Sequence, residues 1–170
     1  MDILAHGLWG GLAFCPKGGR KYVAGMTLGM APDLLSFGVF HVTHPNWMLS
    51  RLAGEISGPP ALSILPAYVF HAYNLTHSFV IWSMAFVLLW FLARTSPWLW
   101  AAWGLHIICD IPTHATSYFP TPFLWPFSTP FVDGFSWATR EFLIANYAAL
   151  VTAYGVMVLY LRKRRREISS

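Results

Sequence analysis

Apolar residues in this chain fall into runs separated by short polar or proline-rich breaks, and the lengths of those runs predict the elements. Ile3 to Phe14 is apolar apart from His6 and contains three glycines, and it is short for a membrane crossing. Asp2 precedes it and Lys17, Arg20 and Lys21 follow, the reverse of the charge order of a cleaved signal peptide, so it reads as part of the mature structure. Tyr22 to Phe40 is long enough to cross a bilayer, but Pro32 and Asp33 stand in its second half. A proline inside a helix removes a donor and frees backbone groups, so the helix is expected to be disrupted there. From His41 and His44 through Arg51 and Glu55 to the Gly58-Pro59-Pro60 breaker the sequence reads as a loop with room for an interfacial helix.

Ala61 to Tyr73 is apolar for only thirteen residues, which suits a half-span or surface-lying helix rather than a crossing. Thr76 to Ala93, with Trp82 and Trp90 inside it and Arg94 just beyond, reads as a crossing. Pro97 to Ile111 follows after a very short link and is therefore expected to be its antiparallel neighbour, with Pro112 ending or kinking it. The stretch up to Arg140 is aromatic, proline-rich and poor in charge, as in Trp125-Pro126-Phe127, and can lie at headgroup level. Phe142 to Leu161 is a nearly uninterrupted apolar run of twenty residues that ends on Arg162, Lys163, Arg164, Arg165 and Arg166.

Composition turns these runs into a class. Of 170 residues 56% are hydrophobic and 11% charged, and nine Trp and thirteen Phe lift the aromatic share to 17%. Soluble domains carry about 25% charge, so the chain is built for a bilayer. The expected fold is all-α: a single integral-membrane domain over residues 1–170, a polytopic helical bundle with about five transmembrane helices and an additional short interfacial helix. The formal net charge is +4, much of it in the C-terminal basic cluster. That cluster abuts the last helix, where lipid headgroups and orientation explain it, so no nucleic-acid partner is expected. Cys15 and Cys109 lie in different runs without zinc-knuckle or disulfide spacing and read as packing residues. Basic residues mark the cytoplasmic side of a membrane protein. With Lys17 to Lys21, Arg94 and the C-terminal cluster all cytoplasmic, five crossings follow and the C-terminus is cytoplasmic.

That topology has a chemical consequence. It places His6, Asp33, His77, His106, Asp110 and His114 toward one layer on the non-cytoplasmic side. His106 and Asp110 are four residues apart and so share one helix face. A carboxylate in an apolar helix needs a cation, a hydrogen-bond network or water. Imidazole with carboxylate suits Zn²⁺, with Mn²⁺ or Fe²⁺ as alternatives. His41, His44 and His71 lie in loop or interfacial segments where a solvated histidine is ordinary. A small metal or proton transporter would also hold His and Asp in its helices, but it would want such residues on the cytoplasmic half as well. A membrane protein with a structural metal site remains a second alternative.

The order His6, Pro32-Asp33, Thr76-His77-Ser78, His106-x-x-x-Asp110 and Pro126-Phe127-Ser128 resembles the bacterial inner-membrane metal-dependent hydrolase family, whose substrates are poorly defined. The chain departs from it in one place: Ala72-Tyr73-Asn74 stands where that family has His-Arg-Gly. More distantly, Asp33, His77, His106 and Asp110 are similar in order to the ligands of zinc-dependent phospholipase C and P1 nuclease, with His6 in the place of an N-terminal histidine that serves a neighbouring metal. The resemblance implies a bacterial inner-membrane enzyme and metal ligands among Asp33, His77, His106, Asp110 and His6, and His114, in the same polar layer, is a further candidate ligand. It implies catalytic roles for Asp33, Asp110 and His6 in hydrolysing a phosphoester or ester. A site near the outer membrane surface, roofed by residues 113–137, suits membrane lipids or a lipid-linked substrate arriving laterally.

Overall fold

Helix α1 (Ile3–Phe14) packs along α2 (Gly19–Asp33) more extensively than any other pair of elements, and glycines are the reason. A Cβ on Gly29 would lie 2.6 Å from the His6 carbonyl oxygen, and one on Gly10 would lie 2.8 Å from that of Gly25. Side chains at these positions would push the two backbones apart. The computed structural model describes residues 1–14, 19–93, 98–128 and 130–169. Every regular element among them is helical. Cys15, Lys17, Arg94 and Pro97, used above for packing, orientation and a helix start, lie outside the described residues.

Pro32 does not break its helix. After α2 the chain passes through a π-helical turn, Leu34–Gly38, into α3 (Val39–Thr43), so one apolar helix runs Gly19–Thr43. Disruption was expected from the lost donor; instead the chain stays helical through the π turn, and side chains also bond the backbone there. The Pro32 carbonyl accepts from the Ser36 hydroxyl at 3.0 Å and the Thr76 hydroxyl at 3.2 Å. The loop expected to hold a short helix does form one, α4 (Pro45–Leu52), opened by a proline at its first turn and with no residue buried.

Ala61 to Tyr73 and Thr76 to Ala93 divide differently from the sequence expectation. A 3₁₀ turn (Leu62–Ile64) precedes α5 (Ala67–Thr76), and α6 (Phe79–Ala93) leaves it at an angle of 58°. The Thr76-His77-Ser78 triplet makes the bend. Thr76 ties the end of α5 to Pro32, while Ser78 Oγ accepts the Val80 and Ile81 N–H groups at 3.1 and 3.3 Å and so starts α6. The Thr76 carbonyl at the break accepts the Trp103 indole N–H at 2.8 Å.

Helix α7 (Ala101–Thr113) follows a 3₁₀ turn (Trp98–Trp100) and includes Pro112, one residue beyond which it stops. The returning loop satisfies its last carbonyls: Phe135 N–H donates to Pro112, Trp137 to Thr113 and Gly134 to His114. A Cβ on Gly134 would meet the Pro112 oxygen at 2.3 Å, so only glycine allows this approach. Farther out, Asp133 accepts the backbone N–H and hydroxyl of Thr116, and these bonds hold its carboxyl below the ordinary value.

Helix α8 (Arg140–Ser169) carries its apolar stretch over Arg140–Arg164, and little of the most apolar part of it is buried in the fold. Two helices, Gly19–Thr43 and Arg140–Arg164, are long and apolar enough to cross a membrane, and α5 with α6 makes three if the bent pair is one span. Five crossings were expected. By length α1, at 12 residues, and α7, at 13, fall short of the roughly 20 residues of a full span.

Candidate metal centre

Four side chains from three places in the fold converge: Asp33 at the end of α2, His77 at the bend between α5 and α6, and His106 with Asp110 on one face of α7. They are 7%, 0%, 1% and 0% exposed respectively, and each offers a ligand atom within 4.8 Å of the others. This group could hold a metal ion.

The hydrogen bonds behind the ligands fix how they face. His106 Nδ1 lies 2.7 Å from the Gly29 carbonyl, and His77 Nδ1 lies 3.1 Å from that of Tyr73. A carbonyl only accepts, so each Nδ1 carries the proton, and in the neutral ring that binds a metal each Nε2 presents a lone pair. The two Nε2 atoms are 3.0 Å apart. Facing lone pairs repel, and a cation between them removes the conflict. Asp110 Oδ2 stands 3.0 Å from His106 Nε2 and 3.4 Å from His77 Nε2, and it is buried without a hydrogen bond. Asp33 Oδ1 is farther, at 3.8 and 3.5 Å from the same nitrogens. Ligands about 2.0–2.1 Å from a tetrahedral ion stand about 3.3 Å from one another, which matches these spacings. Two carboxylates with two neutral imidazoles carry a charge that a divalent cation balances. The residues therefore fit a divalent ion.

His6 and His114 occupy the other side of Asp110. Its Oδ1 faces the Met1 nitrogen at 2.5 Å, His6 Nε2 at 2.9 Å and His114 Nε2 at 3.4 Å. His6 also stacks on the His106 ring at 3.6 Å between centroids. Both histidines are thus placed to hold Asp110 in orientation, the usual duty of groups behind a metal ligand. His114 Nδ1 in turn donates to the Phe119 carbonyl at 2.8 Å. Of the other histidines, His41 stacks on Trp47, His44 stacks on Phe40, and His71 is exposed.

The site has one open side. A cavity of about 330 Å³ includes Asp33 and His114 in its wall, together with Phe37, Trp47, Tyr118 and Trp137. His77, His106 and Asp110 do not line it. From the stretch after α7, His114, Tyr118 and Trp137 supply part of the cavity wall. Tyr118 in that loop donates its hydroxyl to the Pro60 carbonyl at 2.8 Å, and burial pushes the phenol up to about 12, so it stays neutral at physiological pH.

Compared with known proteins, the chain matches no family model, no curated protein and no solved structure. The reading of the site therefore rests on its own geometry. Two participants escape sequence reasoning. Tyr73 stacks on the His77 ring at 3.8 Å and donates its hydroxyl to the Phe119 carbonyl at 3.0 Å, locking the bend to the loop. Its position four residues before His77 on a helix was the available signal. The Gly29 carbonyl, which orients His106, leaves no trace in a side-chain pattern.

Proposed function

We propose that the protein is a membrane-embedded metal-dependent hydrolase acting on a phosphoester or ester of a lipid or lipid-linked substrate. One observation carries the reading: the ligand set opens onto the cavity through a single carboxylate, Asp33. A purely structural ion needs no such outlet. His77, His106 and Asp110, the closer-set three, hold the ion and leave a position free, the arrangement of catalytic rather than structural zinc. When bound, Zn²⁺ supplies Lewis acidity that polarises a phosphoryl or acyl oxygen and acidifies water near neutral pH. Zinc is our first assignment from the imidazole and carboxylate donors, with Mn²⁺ and Fe²⁺ as alternatives.

The chain's own residues divide the remaining work. Asp33, at the cavity wall and slightly apart from the three ligands, takes the proton from the attacking water as general base. His6 and His114 keep Asp110 oriented, and the buried Tyr73 fixes the His77 ring. Apolar wall residues Phe37 and Trp47 exclude bulk water and receive the apolar part of an amphiphile.

We assign the protein to a bacterial inner membrane with the C-terminal basic cluster in the cytoplasm and the site toward the opposite face. Asp33 lies 13 residues beyond Arg20 and 12 beyond Lys21, about 18–20 Å along the helix from these basic residues, which supports that separation. Five crossings, with α1 and α7 as short ones beside the longer helices, complete the arrangement on charge bias. The test uses purified protein in mild detergent with p-nitrophenyl esters and phosphoesters, each with a short and a long alkyl chain. We expect cleavage of long-chain substrates, stopped by a chelator and restored by Zn²⁺. Cleavage of the short soluble substrates alone would contradict a lipid substrate, and cleavage that survives full metal removal would contradict the metal.

A further inference from the structure

The cavity that reaches Asp33 also contains three polar side chains that the hydrolytic scheme leaves unused: Arg51, His41 and Asp2, the last with its Oδ1 already accepting the Ala5 N–H and the Tyr147 hydroxyl. Arg51 is on α4 and exposed, and its guanidinium is held on two sides: it donates to the Gly58 carbonyl and lies 5.9 Å from the centroid of the Trp47 ring. Among the described residues it forms no ion pair. His41 stacks on the same Trp47 ring at 5.2 Å, and its Nδ1 is buried with no hydrogen-bond partner. The cavity thus combines an oriented cation without a counterion, a buried nitrogen without a partner, and an otherwise largely apolar wall.

We infer that this cavity binds the phosphoester end of an amphiphile, with Arg51 as the residue that recognises the anionic phosphoryl group and His41 as a second polar contact. The inference rests on the hydrolase reading for the fate of the ligand, but the binding stands on the cavity alone. A guanidinium presents several N–H groups in a planar fork that matches phosphate oxygens, and one held by a carbonyl and a ring loses less freedom on engaging them. A neutral carboxylic ester would leave that cation unmatched, so the geometry selects a phosphoester over the other substrate class. Ligand pockets run from about 300 to 1,000 Å³, and this one, at about 330 Å³, holds a headgroup and the first part of a chain. Phe37, Trp47 and Met48 supply apolar surface for that chain. Arg51 is a specificity-determining residue in this scheme, outside the reacting centre.

Binding is read by quenching of tryptophan fluorescence in the full-length, zinc-loaded protein titrated with dodecyl phosphate, dodecyl acetate, dodecanoate and inorganic phosphate. Dodecyl phosphate is expected to bind at least about tenfold more tightly than each of the other three, because only it presents both a phosphoryl group and a chain. Arg51→Gln is expected to remove that preference, and Arg51→Lys to restore part of it, with helicity and metal content unchanged in both. Dodecyl acetate or dodecanoate binding as well as dodecyl phosphate would overturn the phosphoryl assignment, and inorganic phosphate doing so would point to free phosphate instead of a lipid headgroup. Undiminished preference in Arg51→Gln would overturn the role of Arg51. Arg51-dependent binding without hydrolysis of any phosphoester would sink the hydrolase reading and leave the binding site standing.

Discussion

Asp33→Asn is expected to lower hydrolysis of a long-chain phosphoester by about 10²- to 10⁴-fold, the usual worth of a general base, while the protein keeps its ion and its fold. The amide matches the carboxylate in shape but cannot take up a proton. His77, His106 and Asp110 remain to bind the ion, since their donor atoms are separated by 3.0–3.4 Å whereas Asp33 stands 3.5–3.8 Å from the two nitrogens. The measurement is kcat beside metal content and thermal midpoint for the same preparation. Loss of the ion together with activity would make Asp33 an obligatory ligand, and unchanged activity would remove it from the chemistry.

The largest effect on stability is expected at Asp110. It is fully buried and touches more of the site than any other residue: one oxygen faces Met1, His6 and His114, and the other faces His77 and His106. Asp110→Ala removes the carboxylate that faces all five of these groups, leaves the Met1 nitrogen without its partner and removes a metal ligand as well. Breaking a buried ionic arrangement by deleting one partner costs about 3–5 kcal/mol, and we expect destabilisation of that size, read as unfolding free energy in mild detergent. A change below about 1 kcal/mol, the scale of an exposed pair, would show that Asp110 does not organise the site.

Much of this site was legible in the sequence because intramembrane polar residues are costly and therefore stand out. His106 and Asp110 share a face by helical periodicity alone, and Asp33 beside Pro32 and His77 within Thr76-His77-Ser78 are conspicuous within apolar runs. The structure brings those four together. What sequence reasoning missed depends on partners distant along the chain. Pro32 was expected to disrupt its helix, yet a π-helical turn carries the helix on, and Ser36 and Thr76 bond the Pro32 carbonyl from one turn on and from another helix. The bend at His77 was not placed from hydropathy, because apolar residues stand on both sides of it; Ser78 capping and the Trp103 bond to the Thr76 carbonyl mark it. The split of duties on Asp110 is likewise invisible in a list of histidines, since His6, His77, His106 and His114 differ only in which oxygen they face. The crossing count was least legible, because runs of twelve to nineteen residues do not distinguish a full span from a short helix that ends inside the fold.

A divalent ion held between His77 and His106 is the centre of the proposed site, and metal content per chain tests it most directly. Elemental analysis of the purified protein and of His106→Ala is expected to give about one zinc per chain in the first and almost none in the second, with both proteins folded by circular dichroism. Metal absent from both after zinc loading, or equal in both, would contradict the site.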